Sequence, residues 1–236
     1  MSVAYQQRDR IAELTLDDGK VNAMSLPFFE ALNAALDHVL ADAPAAVVIT
    51  GRPGVFSAGL NLKLLPTLSP GDLRTTLVAF GRTMLRVFTF PIPTVAAITG
   101  HAIAGGAMLA FACDLRWMAE GAFRLHLNES AIGLTLPTWA ITVAESAIPP
   151  RWRTEAILHA RAYTPDEAHA HAMIHGVARP AAALGDAARA ATEPLLGLDQ
   201  KAYGASKARQ RARVVEWALA RLEAEIDSLP TRATRA

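Results

Sequence analysis

Two short runs limit what this chain can fold into. Ala46-Val47-Val48-Ile49-Thr50 closes at Gly51, and Thr94-Val95-Ala96-Ala97-Ile98 ends just before Gly100. Neither run alternates apolar with polar residues, so each reads as a strand buried on both faces, which requires cover above and below the sheet. The intervening segments supply that cover. Ser25 can cap a helix in which Leu26, Phe29, Leu32, Leu36, Val39 and Leu40 recur at three- and four-residue spacing. A second helix is predicted over Asp72–Val87 and a short one from about Gly105, with Leu115–Ala119 returning as a strand. Upstream, Ile11–Leu16 alternates apolar and polar residues and reads as an exposed or edge strand, ended by the turn residues Asp17-Asp18-Gly19. Strand alternating with helix implies an α/β architecture with mostly parallel strands. Beyond about Pro137 the pattern is helical: Thr138–Ala147, Arg151–Ala160, Pro165–His171, and a long element over Asp199–Ser228.

The composition narrows the function classes. Of 236 residues, 52% are hydrophobic and 19% charged, enough for a sizeable core and too apolar for a disordered chain. Lys and Arg number 23 against 22 Asp and Glu, so no field of one sign is available to hold nucleic acid. The single cysteine, Cys113, excludes an internal disulfide and a cysteine-based zinc framework. Met1–Arg10 lacks the apolar centre of a signal peptide, and no apolar stretch reaches membrane-spanning length. A cytoplasmic protein without a membrane or nucleic-acid partner is the expectation.

Three segments carry groups suited to chemistry. Leu127-Asn128-Glu129-Ser130-Ala131 sets one carboxylate in an apolar stretch, where Leu125, Leu127, Ile132, Leu134 and Leu136 are expected to raise its proton affinity. A raised carboxylate suits a proton shuttle working near neutral pH. Gly51–Leu62 and Gly100–Ala107 each follow a buried strand and are rich in small residues; loops at the carboxyl ends of parallel strands are where open α/β folds bind ligands. The second loop matches neither the dinucleotide fingerprint nor the phosphate loop. It does offer free amides at a helix N-terminus, and two such amides, one per loop, can clamp an oxygen that becomes an oxyanion. A plain strand-to-helix connection, or close helix packing, is the competing explanation for these glycines.

Phe56-Ser57-Ala58-Gly59-Leu60-Asn61-Leu62, with Ala104-Gly105-Gly106 and Asp114 downstream, resembles the crotonase (enoyl-CoA hydratase/isomerase) superfamily over about residues 3–180. Val21-Asn22, Arg52–Leu60, and Leu127-Asn128-Glu129 with Gly133 and Pro137-Thr138-Trp139 are most similar to the mitochondrial-type Δ3,Δ2-enoyl-CoA isomerases. The resemblance implies a spiral (ClpP-like) core of ββα units over 1–180, carrying an acyl-CoA site, and a helical oligomerisation or lid region over 181–236. It implies that the backbone amides of Leu60 and Gly106 form an oxyanion hole for a thioester carbonyl. Ala58, Gly59, Leu60, Asn61, Leu62 and Gly106 would receive the acyl-CoA, whose coenzyme A belongs to the substrate, with no separate cofactor or metal.

Of the two glutamates that the family's hydratases use, one position holds Met108 and the other Glu129. Hydration divides its work between two acids, whereas a double-bond shift needs one base, so isomerisation of a 3-enoyl-CoA is the leading expectation. A hydratase and a non-catalytic acyl-CoA-binding homologue are the alternatives. Asn61 stands where the family usually has aspartate, and either side chain can cap the following helix. The resemblance also implies a homotrimer or a dimer of trimers.

Other residues carry less. His169, His171 and His175 have partly metal-like spacing but read better as a solvated helix face. His101 and His126 lie near the loops, with a packed or surface position as the default, and Asp114 reads as structural. Ser57 has no assignable His and acid partners, so a nucleophilic role carries little weight. On the last helix, Lys201, Lys207, Arg209, Arg211 and Arg213 either meet the coenzyme A phosphates or form a solvated face. Its stripe of Val214, Ala218, Leu222 and Ile226 is expected to pack on the core or on a neighbouring subunit.

Overall fold

The computed structural model describes residues 2–229. Its elements run β1 (Ser2–Arg8), β2 (Ile11–Asp17), β3 (Ala23–Met24), α1 (Leu26–Asp42), β4 (Ala46–Thr50), β5 (Gly54–Ser57), β6 (Gly59–Leu60), α2 (Pro70–Phe88), β7 (Thr94–Ile98), β8 (Gly100–Ile103) and α3 (Gly105–Ala112). There follow β9 (Leu115–Ala119), β10 (Leu125–His126), α4 (Thr138–Ala147), β11 (Ala162–Tyr163), α5 (Pro165–Ala170), β12 (Gly176–Ala178), α6 (Leu184–Ala190) and α7 (Gln200–Asp227). The main sheet has the order β1-β2-β4-β7-β9-β12, parallel except for β1. A smaller sheet, β11-β10-β8-β5, and the pair β3-β6 stand beside it.

The repeating unit is a long strand in the main sheet, a short strand outside it, and a helix. It recurs as β2-β3-α1, β4-β5-α2 (with β6 added), β7-β8-α3 and β9-β10-α4, the spiral of ββα units. The period of two along the buried strands explains why both faces are apolar. Val47 and Ile49, with Ala96 and Ile98, point into the main core, whereas Val48, Val95 and Ala97 point into a second cluster completed by Leu184 and Ala188 of α6.

Two readings are corrected and one open choice is decided. Ile11–Asp17 is not an edge strand: β1 pairs with it along all seven residues, and its alternation arises because Glu13 and Thr15 lie on the less covered face. The segment Arg151–Ala160 is not a regular helix. Pro149 and Pro150 remove amide donors at its start, and it forms a 3-10 turn over Pro150–Trp152 and a π turn over Thr154–Leu158. The stripe on α7 packs on this chain's own core: Ala218 and Leu222 are buried in the main cluster, with Val214 and Ile226 against it. Residues 230–236 of the C-terminal region delimited from the sequence lie outside the described residues.

Candidate active site

The small sheet positions the site. Its parallel strands β5, β8 and β10 lie side by side, with Ser57 opposite Ala102 and Ala102 opposite Leu125. Each strand runs into one of the segments singled out above. Leu60 is three residues beyond the end of β5, Gly106 three beyond β8, and Glu129 three beyond β10. The bond from the Ala104 amide to the His126 carbonyl (2.7 Å) fastens the last two segments together.

Glycine is required where the first two segments meet. Gly59 has φ +76°, and a Cβ on it would stand 2.7 Å from the Gly105 amide nitrogen. A side chain on Gly106 would run into the Ser57 carbonyl. Asn61 donates its amide to the Met24 carbonyl (2.8 Å), and successive amides of a strand face opposite ways, so the Leu60 amide is turned away from β3. On the other side, Met108 makes the first helical bond of α3, to Ala104 (3.0 Å), leaving the amides of Gly105 and Gly106 without intrahelical acceptors. Two amides from adjoining segments thus stand at the positive end of a helix, an arrangement suited to a developing oxyanion. The amides of Ala58 and Gly59 are already engaged, by the Val21 carbonyl (3.0 Å) and Ser57 Oγ (3.1 Å), so of Ala58–Asn61 only Leu60 turns its amide away from such a bond.

Sequence reasoning missed the staple behind this loop. Ser57 Oγ donates to the Asn22 carbonyl (2.7 Å) while accepting the Gly59 amide. That use of its hydroxyl explains why the serine is present without a nucleophilic role. Asn22, fully buried at φ +52°, donates from Nδ2 to the carbonyls of Leu16 (2.9 Å) and Phe56 (3.0 Å). Its left-handed backbone is held by Asp18, whose carboxylate accepts the amides of Lys20, Asn22 and Ala23. Burial would raise the proton affinity of Asp18, but these bonds outweigh it and lower it. The signal in the sequence was an Asn just after an Asp-Asp-Gly turn, a residue that tolerates positive φ. Asn61 Oδ1 accepts the Leu64 amide (3.1 Å) and closes a turn there; it does not cap the following helix α2, whose cap is Ser69.

Glu129 begins a 3-10 turn over Ser130–Ile132. Its Oε2 is shut away from solvent with no hydrogen-bond partner among the described residues, and Asn128 Oδ1 shares that condition. Burial raises the Glu129 pKa above its ordinary value, opposed only in part by a bond from its own backbone. The shielding is narrower than expected: Leu125 and Leu127 are buried, whereas Ile132 and Leu134 are each 43% exposed. Met108 is buried in α3, where it offers no polar atom to Glu129's side of the site.

The basic residues of α7 are not available to a ligand as a group. Lys207 and Arg211 bind Asp114 at 2.7 and 2.8 Å. Asp114 also accepts from Thr94 (amide 2.9 Å, hydroxyl 3.0 Å) and from the Tyr203 hydroxyl (3.1 Å). Asp114 and Thr94 sit at the amino ends of β9 and β7, whereas the loops of the site leave the carboxyl side of the sheet. A cleft of about 380 Å³ does open beside these residues, at that far end. His101 and His126 take the packed positions expected by default, but His171 and His175 do not form a solvated helix face, because α5 ends at Ala170. His175 Nδ1 accepts the Arg116 amide (3.1 Å), His171 stacks on Trp152 at 3.7 Å, and His126 Nε2 bonds the Ala160 carbonyl at 2.8 Å. His101 stands edge-on to Phe123 at 5.5 Å. Among the described residues, no group of three His, Cys, Asp or Glu side chains could hold a metal, and no helix is long and apolar enough to cross a membrane.

The family model for enoyl-CoA hydratase/isomerase matches residues 6–231. The chain belongs to that family. Its relatives in it carry both names. The solved apo enoyl-CoA isomerase of Mycobacterium tuberculosis superposes with a TM-score of 0.88 at 34% identity, covering 97% of this chain and 98% of that one, and a second structure of the same protein is described as a probable enoyl-CoA hydratase. An enoyl-CoA hydratase of Mycobacterium marinum superposes with the same score of 0.88 at 32% identity, covering 97% and 99%. The human mitochondrial enoyl-CoA delta isomerase 1 is 30% identical over 161 residues, 67% of this chain. That stretch spans only 53% of the human protein's length. As a member of the family this chain is an acyl-CoA enzyme, and its fold is the crotonase fold.

Proposed function

We propose that the protein shifts the double bond of a 3-enoyl-CoA to give the 2-trans-enoyl-CoA. Glu129 takes a proton from C2, the thioester oxygen gains charge as the dienolate forms, and the same carboxyl returns the proton at C4. The amides of Leu60 and Gly106 receive that oxygen, a donor arrangement of which each member is worth about 3 kcal/mol in the transition state. The observation that carries this reading is the state of Glu129: a part-buried carboxylate with one oxygen shut from solvent and without a partner, on an extension of β10 beside those of β5 and β8, with apolar Met108 at the position where hydratases of the family have a second acid. One raised carboxyl can move a proton between two carbons, whereas adding water also needs a group to hold and deprotonate that water. Incubation of purified protein with a 3-enoyl-CoA is expected to yield the 2-trans isomer, identified by product analysis. A full rate in Glu129→Gln sinks the assignment.

One observation favours hydration as the second reading. Asn128 Oδ1 is a second orphaned acceptor next in sequence to Glu129, and two such acceptors suit a water molecule with its two donors. Hydration of crotonyl-CoA at a rate near that of isomerisation, lost in Asn128→Leu, would select it.

A further inference from the structure

The C-terminal end of α7 carries three acids, Glu223, Glu225 and Asp227. Two of them reach α2: Arg74 binds Glu223 at 2.9 Å and Asp227 at 2.6 Å, and Arg82 binds Glu223 at 2.9 Å. The third turns to a different helix. Glu225 Oε2 accepts the backbone amide of Thr138 (2.8 Å), and Oε1 accepts the Thr138 hydroxyl. Thr138 opens α4, whose N-cap residue, Pro137, makes no side-chain cap. Glu225 therefore supplies from 87 residues away the anionic acceptor that the local sequence omits, at the helix end where negative charge is favoured.

That position lies downstream of Glu129 in the chain. The segment bearing Glu129 is fixed upstream by β10, which pairs with both β8 and β11. Residues 130–135 are all exposed, and their backbone bonds are local, such as Leu134 amide to Glu129 carbonyl at 2.9 Å. The next fixed points downstream are Leu136, half-buried against the main core, and the start of α4, where Trp139 is buried edge-on against Phe80 at 4.7 Å. We propose that Glu225 is a positioning residue: its two-point hold on Thr138 fixes the downstream end of the Glu129 loop and sets how deeply the Glu129 carboxyl sits. Glu223 and Asp227, which face α2, hold the same helix without touching that loop.

The activity arm of the test rests on Glu129 being the acid–base of the site; a titration arm does not. In protein labelled with ¹³C at glutamate carboxyls, the Glu129 signal is the one lost in Glu129→Gln, and its titration midpoint reports how buried it is. Glu225→Gln and Thr138→Val are each expected to lower that midpoint by about half a unit or more, toward the ordinary glutamate value. Glu223→Gln is expected to leave it in place. Thr138→Val keeps the Glu225 charge, so a shift in both variants reflects the hold rather than a lost charge. In turnover, Glu225→Gln is expected to lower kcat about tenfold or more with little change in KM, because misplacing a reacting group by a fraction of an ångström has costs of that order. An unchanged Glu129 midpoint in both variants, with folding verified by circular dichroism, overturns the proposal. Absence of turnover on any enoyl-CoA in the unaltered protein would instead sink the functional reading, and the titration would still decide the hold.

Discussion

Asp114 and Glu129 are both largely withdrawn from water, and the chain treats them in opposite ways. Asp114 is surrounded by donors: Lys207, Arg211, Tyr203 and both polar groups of Thr94. Burial alone would raise its pKa, but Lys207 and Arg211 outweigh it and hold the group below its ordinary value. Glu129 has an oxygen with no partner, and burial raises its pKa unopposed by any cation. The first carboxylate fastens α7 to the amino end of the sheet; the second stands at the carboxyl side, where the proposed reaction would use it. A buried acid with a full set of partners is cement, whereas a buried acid left without them is a candidate reagent whose idle state the rest of the fold must sustain.

Exchanging each carboxylate for its amide should separate the two. Glu129→Gln is expected to reduce isomerisation by roughly 10²- to 10⁴-fold, the usual contribution of a positioned acid–base, read as kcat on a 3-enoyl-CoA. Asp114→Asn should leave that rate nearly intact per folded molecule. It is expected to cost on the order of 3–5 kcal/mol of stability in urea, because Lys207 and Arg211 lose their counter-charge in a buried setting. The pH dependence follows from the sign of the shift. The folded pKa of Asp114 is depressed, so its contribution is complete above the unfolded value, about 3.9, and disappears as pH falls through the lower folded one. A wild-type stability profile with no extra loss in that acid range relative to Asp114→Asn would break the contrast.

Smaller effects sharpen it. Ser57→Ala removes the hydroxyl that links the Asn22 carbonyl to the Gly59 amide, and is expected to cost about 1–3 kcal/mol, with a reduced kcat as Leu60 loses its support. The smallest expected change is a gain. Because Glu129 has a raised folded pKa, ionising it costs the folded state more than the unfolded chain, and this cost builds as pH rises from the unfolded value through the folded one. Glu129→Gln should therefore be more stable than wild type near neutral pH, by about 1 kcal/mol, and equal to it in acid. A lower melting temperature at pH 7 for this variant would contradict an unsatisfied Glu129.

The sequence exposed the long elements because their burial is uniform. Ala46–Thr50, Thr94–Ile98, Leu115–Ala119 and Thr138–Ala147 appear with the predicted ends, since each is set by an apolar run bounded by Gly, Pro or Asp. The small sheet was illegible. β5, β8 and β10 are two to four residues long and hold their places through register with one another, which leaves no periodicity to read. The same reason hid β1, whose polar residues Gln6, Gln7 and Arg8 pair with β2 at an exposed edge. At the candidate site, Glu129 was proposed as a lone carboxylate in an apolar stretch and Leu60 and Gly106 through motif resemblance, whereas Met24, Asn22 and Ser57 were not given their supporting roles. Those roles depend on contacts across 34 to 37 residues, such as Asn22 with Phe56 and Ser57 and Met24 with Asn61, which no local pattern displays. The basic stretch on α7 misled in the opposite direction, because Lys207 and Arg211 answer to Asp114, 93 and 97 residues upstream.

The short overhang of β5, β8 and β10 has a bearing on how such a scaffold can diversify. With Leu60 three residues, and Gly106 and Glu129 four residues, past the row in which Ser57, Ala102 and Leu125 stand side by side, spacing is expected to be the constrained quantity and side-chain identity at the third stub comparatively free. Exchanging the residue at that tip alters the reaction while the amide pair stays put. Inserting one residue into any of the three stubs throws its tip out of line with the other two. Variation in length should therefore collect after the tips, in stretches such as 130–135, and be excluded from the two residues before them.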